Sequence, residues 1–249
     1  MNSVVEMALT YTVVIIILIA IALLPWLIFF VLTTRLKDEY IKLFLFGGVG
    51  WFLALIARIP IIAGSYYLGD FFVYLVSAIS AGIFEETFRF FFVKRYIERP
   101  ITNGKVFSFG VGWGIMEVLL LHTMNLIAIL MVIKMGAKIP GLEEFPEPER
   151  FLLIGLVGSY ERLVAVALHI VLTIYIVGAL ANRKWMYFAI VMHSVVDLIA
   201  VLYYMVGLEI LIIEVLITVL MVILYVLAKT IFSLNVKEFF FMPQIEFGG

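Results

Sequence analysis

The chain contains no cysteine, and that single absence removes disulfides, thiol nucleophiles and thiolate metal sites together. Charge is scarce too: Asp, Glu, Lys and Arg make up 14% of the 249 residues and balance to a formal net charge of −1. With no strong net field and no long basic run, nucleic acid is not an expected partner. Two familiar hydrolase signatures are also missing. There is no His-Glu-x-x-His helix motif and no Gly-x-Ser-x-Gly elbow, which disfavours the usual zincin and serine mechanisms.

What is present is hydrocarbon. Hydrophobic residues make up 65% of the chain, and the mean hydropathy is +1.19. Such a composition lies outside the soluble globular range and reads as an all-α polytopic membrane bundle. A hydrocarbon core about 30 Å thick needs roughly 20 helical residues. Seven stretches of about that length or more can be marked: Leu9 to Thr34, Tyr40 to Gly64, Phe71 to Val93, Val106 to Ile133, Phe151 to Leu180, Met186 to Val206 and Leu208 to Ile231. They are expected to form one integral-membrane domain over residues 1–249, with a catalytic core near 71–206.

The first stretch is longer than a signal-peptide core and lacks a basic start or a small-x-small cleavage site, so it is expected to remain as an anchor. Connections are short except for Lys134 to Arg150, where Glu143, Glu144, Glu147 and Glu149 alternate with prolines in an irregular acidic loop. Basic residues crowd the connections after spans one, three and five and beyond span seven. The positive-inside rule therefore puts the amino terminus outside and the carboxyl terminus in the cytoplasm. The aromatic tail after Leu234 is read as an interfacial segment.

Ionisable residues interrupt these apolar stretches at Glu85, Glu86 and Arg89, at Glu117, at Glu161, Arg162 and His169, and at His193 and Asp197. A charged group at the centre of a spanning helix costs roughly 2.5–3.5 kcal/mol on insertion scales, so this set must meet partners or water inside the bundle. At 1.5 Å per residue, Glu85 lies ~14 Å from Lys94, Glu117 ~18 Å from Lys105, His169 ~21 Å from Arg183 and His193 ~14 Å from Lys184. Four spans thus supply one polar slab, displaced toward the cytoplasmic half, with Glu161 about two turns further out.

Helical spacing puts Arg162 with His169 on one face and stacks His193 on Asp197. Glu85 and Glu86 diverge by about 100°, so one can address a cavity while the other braces a neighbour; Glu85 is taken as the reactive one. Phe109, Trp113 and Glu117 form a stripe, and Gly110 with Gly114 permits close helix approach. Arg58 beside Pro60 reads as an interface anchor, Arg89 as a snorkelling or salt-bridging scaffold residue, Glu161 with Arg162 as an ion pair, Glu214 as structural, and His122 as facing away from the set.

Buried carboxylates and imidazoles around water are what a hydrolase needs to activate it and stabilise an oxyanion. The same residue types can hold zinc with an open position, here His169, His193 and Glu117, or work as a metal-free acid and base; both stay open. The expected partners are the lipid bilayer and a membrane-associated peptide or protein substrate. Two rival readings are a binding, immunity or maturation factor on the same scaffold, and an ion or proton translocator. Against the translocator, the sequence has no inverted repeat.

Glu85-Glu86-Thr87-Phe88-Arg89 resembles the Glu-Glu-x-x-(x)-Arg motif of the CPBP (CAAX protease and bacteriocin-processing) intramembrane proteases, and His193-Ser194-Val195-Val196-Asp197 resembles their closing His-x-x-x-Asn/Asp motif. The stretch Gly110 to Glu117 and the stretch Glu161-Arg162 through Ala165 to His169 look most like the YhfC branch, described as intramembrane metalloproteases. PrsW-type proteases are a more distant match. The resemblance covers roughly Phe84 to Val201. It implies Glu85 as the base, His193 and Asp197 as oxyanion or metal groups, and Glu117 and His169 as auxiliary ligands or proton carriers. One departure stands out: where the superfamily has Phe-x-x-x-His, Phe109 is followed by Trp113. His169 is then expected to take the missing histidine's place, or else the chain is a catalytically weakened member.

Overall fold

The computed structural model describes residues 2–135 and 146–232, with side chains described from residue 8 onward. The ordered elements are α1 (Asn2–Thr34), α2 (Asp38–Ser65) with a short 3₁₀ turn (Tyr66–Leu68), α3 (Asp70–Tyr96), α4 (Asn103–Glu117), a π-helical turn (Val118–Thr123), α5 (Met124–Met135), α6 (Pro148–Gly178), α7 (Lys184–Val206) and α8 (Ile210–Ile231). Because α4, the π turn and α5 run on as one rod, these elements give seven helical spans long and apolar enough to cross a membrane.

Each span agrees with a stretch marked from the sequence, and the ends differ for local reasons. Thr102 caps α4 by accepting from the backbone N–H of Lys105, so the helix starts at Asn103 rather than Val106. Pro148 occupies the first turn of α6, where its missing N–H costs nothing, and starts that helix before Phe151. Gly207 ends α7 in the left-handed conformation, φ 70°, that an L side chain resists. The loop acids Glu143 and Glu144 and the tail after Leu234 lie outside the described residues.

The bundle is organised around α6. In that span 72% of the most apolar window is buried, against 17–33% for the other six, so it is the central post. Around it α4 packs on α2 and α6, α3 on α2 and α7, and α8 on α6 and α7. The outer helices show the reversed polarity expected of a membrane protein: Ile16, Leu24 and Ile28 on α1 and Leu211, Val215 and Val219 on α8 are exposed.

Small residues let α4 approach closely. A Cβ on Gly110 would sit 2.8 Å from the Cα of Ile170, and one on Gly114 would sit 2.8 Å from the Cα of Val166. No side chain fits there, so the Gly-x-x-x-Gly face of α4 sets its distance to α6. That spacing brings Glu117, one turn further on, against His169.

Candidate functional site

Glu85 and Glu86 leave α3 in different directions, yet both reach His193 on α7. The Nδ1–H of His193 donates to Glu86 Oε1 at 2.7 Å, while its Nε2 lies 4.0 Å from Glu85 Oε2 and 3.8 Å from Asp197 Oδ1. An ionised carboxylate only accepts, so the hydrogen belongs on Nδ1 and Nε2 presents its lone pair. The two longer separations exceed a hydrogen bond, so neither carboxylate engages Nε2 directly.

His169 is held differently. Arg89 Nη2 donates to its Nδ1 at 2.8 Å, Arg89 Nη1 donates to its carbonyl at 2.8 Å, and its Nε2–H donates to Glu117 Oε2 at 2.6 Å. Both ring nitrogens are therefore in use. Arg89 also pairs with Glu86 at 3.3 Å and lies with its guanidinium 4.6 Å from the centre of the Trp113 ring. It is fully buried, a salt-bridging strut rather than a snorkelling end group.

Trp113 fills the position at which the resemblance expects histidine. Its indole N–H donates to Glu85 Oε2 at 3.3 Å, so the site keeps a donor there but loses a base or ligand. Glu117 accepts from Arg162 Nη1 at 2.8 Å, and Arg162 Nη2 also donates to Glu161. The Glu161–Arg162 pair thus extends the cluster instead of standing apart from it.

Arg58 corrects the sequence reading. Only 9% exposed, it is not an interface anchor: its guanidinium reaches inward to within 3.6 Å of Glu85 Oε1 and 3.4 Å of the Ser77 carbonyl. Its long stem lets a residue two turns from the end of α2 address mid-bundle, which spacing alone does not reveal. Thr173, hydrogen-bonded to the His169 carbonyl and lying 3.5 Å from Arg89, was likewise not singled out. His122 points elsewhere, its Nε2 3.3 Å from Ser159 Oγ, and Glu214 is buried on α8.

A cavity of about 40 Å³ opens beside the imidazoles, walled by Glu117, Arg162, His169, His193 and Asp197 among others. One water needs about 10–15 Å³ of such volume, so the chamber admits solvent. Glu161 and Ile217 also line it, so it extends from the histidines toward the ends where α6 and α8 begin, away from Arg183 and Lys184. Among the described residues, Glu86 Oε2, Arg58 Nε and Arg89 Nε have no hydrogen-bond partner.

Metal ligation passes a chemical test here. Glu85, His169 and His193 each offer a ligand atom, and the three lie within 4.8 Å of one another, a carboxylate and two imidazoles of the kind zinc accepts. At formal charge, five carboxylates (Glu85, Glu86, Glu117, Glu161, Asp197) meet three guanidiniums (Arg58, Arg89, Arg162). With neutral imidazoles, the excess of two negative charges is what a divalent cation would balance. The residues present fit such an ion; His169 would join it by releasing Glu117 or Arg89, while His193 Nε2 is already free. Glu117, expected as a ligand from sequence, lies one hydrogen bond beyond that trio.

The family model described as YhfC intramembrane metalloprotease matches residues 15–219. No curated protein and no solved structure matches the chain.

Proposed function

The chain belongs to the YhfC intramembrane metalloprotease family, and from that membership we propose that it is an endopeptidase hydrolysing a peptide bond of a membrane-associated polypeptide. The observation that carries this reading is that Glu85 Oε2 lies 4.0 Å from His193 Nε2, too far for a direct hydrogen bond, with Glu86 fixing the imidazole from behind. The whole chain would act as one integral-membrane domain, with the ends bearing Lys94, Lys105 and Lys184 facing the cytoplasm by the positive-inside rule.

A water between the two groups donates toward both, leaving an oxygen lone pair for the scissile carbonyl. Glu85 takes a proton as that oxygen attacks and returns it to the departing amide nitrogen. Arg58 on the other Glu85 oxygen and the Trp113 N–H keep the carboxylate oriented through the transfer. His193, with its Nδ1–H held by Glu86, keeps its Nε2 lone pair on the water's second hydrogen and so fixes the direction from which the oxygen approaches the carbonyl. A divalent cation, zinc by donor type, would be held by Glu85, His169 and His193 and would supply Lewis-acid polarisation of the carbonyl. Without the ion, Glu117, itself held by Arg162, positions His169.

The experiment is a search for new peptide termini when the purified protein is reconstituted with membrane polypeptides. Wild type produces them and His193→Ala does not. If wild type cuts nothing but captures a partner that Glu85→Gln with His193→Ala captures equally well, the scaffold is a binding factor and the protease reading fails.

A further inference from the structure

At the corner where α2 begins, α3 ends and α4 begins, the structure encloses a second polar cavity of about 290 Å³. The spans meeting there are bounded by Asp38, Tyr96 and Asn103, so the cavity lies where the chain leaves the hydrocarbon. None of its lining residues belongs to the site around His193.

The wall has two parts. Leu43, Phe46 and Tyr96 make an apolar floor, with the Phe46 and Tyr96 rings stacked at 4.1 Å between centres. Above it stand three cations. Lys105, with only 8% of its side chain exposed, is committed to Glu39 at 2.8 Å and to the Glu98 carbonyl at 2.9 Å, so that acid is neutralised from within. Lys42 and Arg95 are exposed and form no ion pair among the described residues; Arg95 lies 5.4 Å over the Tyr96 ring. Two free cations thus face one free carboxylate, Glu98.

We propose that this corner binds an anionic phospholipid, its phosphate between Lys42 and Arg95 and its upper acyl chain against Phe46 and Tyr96. The chemistry is that of a basic pocket between spans at the membrane surface. A free phosphate would meet the cations but leave the aromatic floor uncovered. The lipid satisfies both parts at the depth where it already resides. This assignment is independent of the hydrolytic reading and stands or falls without it.

The test uses the full-length protein, delipidated in neutral detergent and titrated with phosphatidylglycerol or with phosphatidylcholine of the same chains, bound lipid being counted by native mass spectrometry. Wild type prefers the anionic lipid by about tenfold or more, from about fivefold per basic residue near the surface. Lys42→Ala with Arg95→Ala brings the preference to within about twofold, and Arg95→Gln alone lowers it about fivefold, which covers a double variant that does not fold. Lys42→Arg with Arg95→Lys preserves it, as does Arg35→Ala with Lys37→Ala, which removes equal charge from the neighbouring loop. An unchanged preference in the alanine pair and in Arg95→Gln overturns the proposal. So does an equal loss in the Arg35/Lys37 variant, which would signal a diffuse field. Displacement of the lipid by millimolar inorganic phosphate would show that the wall reads the phosphate without its tail, and would overturn the lipid assignment.

Discussion

Glu86 holds the Nδ1 of His193 at 2.7 Å and so decides where the other nitrogen of that ring points. Two adjacent glutamates on α3 thereby divide one task, Glu86 behind the imidazole and Glu85 in front of it. Glu86→Gln should lower cleavage by roughly 10–100-fold, the usual cost of losing a carboxylate behind a functional histidine. Glu86→Ala should also lower stability by about 3–5 kcal/mol, because it strands Arg89 in the bundle. Thermal unfolding in detergent beside a cleavage assay separates the two effects.

Arg58 and Glu85 form a pair that comes from different helices and is nearly closed to solvent, at 11% and 2% side-chain exposure. Removing the arginine should expose its electrostatic role. Arg58→Gln is expected to cost about 3–5 kcal/mol of stability. A double-mutant cycle with Glu85→Gln should show strong coupling, since the second change removes the carboxylate that the first leaves unpaired. Additive losses would mean that the two side chains act separately.

Trp113 separates packing from polarity. Trp113→Phe keeps the ring against Phe109 and Arg89 but deletes the N–H toward Glu85, so the melting temperature should move little while cleavage falls. Trp113→His restores the superfamily residue at a fully buried position and should destabilise by about 3 kcal/mol or more, because the smaller side chain leaves a cavity. Circular-dichroism melts compared across the two variants check both statements.

Metal content is a prediction with its own readout. Protein equilibrated with zinc and then desalted should retain about one ion per chain, and His193→Ala should lose it. His169→Ala should weaken retention as well, which elemental analysis measures without any substrate.

Much of this was legible in the residues. Seven spans followed from hydrocarbon length, and helical rise put Glu85 and His193 in a common slab, whereas the bond from His193 to Glu86 depends on how α7 packs on α3. The Gly110–Gly114 face announced a close helix approach, though not that its partner is α6 or that it delivers Glu117 to His169. Arg58 was not legible, because a single arginine beside a proline near a span's end looks like an anchor, and only the packing of α2 on α3 turns it inward. The π turn after Glu117 was hidden for a similar reason: nothing in Val118–Thr123 marks a change of helical register. Trp113 was visible as a departure, but its donor role toward Glu85 depends on where α3 stands.

In the proposed reaction, Glu85 activates water for peptide hydrolysis. Its most direct measurement is the single-turnover cleavage rate of one membrane polypeptide by wild type and Glu85→Gln in matched liposomes, with unfolding temperatures recorded alongside. Glu85→Gln should lose about 10²–10⁴-fold in rate with the bundle still folded. Cleavage by folded Glu85→Gln at the wild-type rate would contradict it.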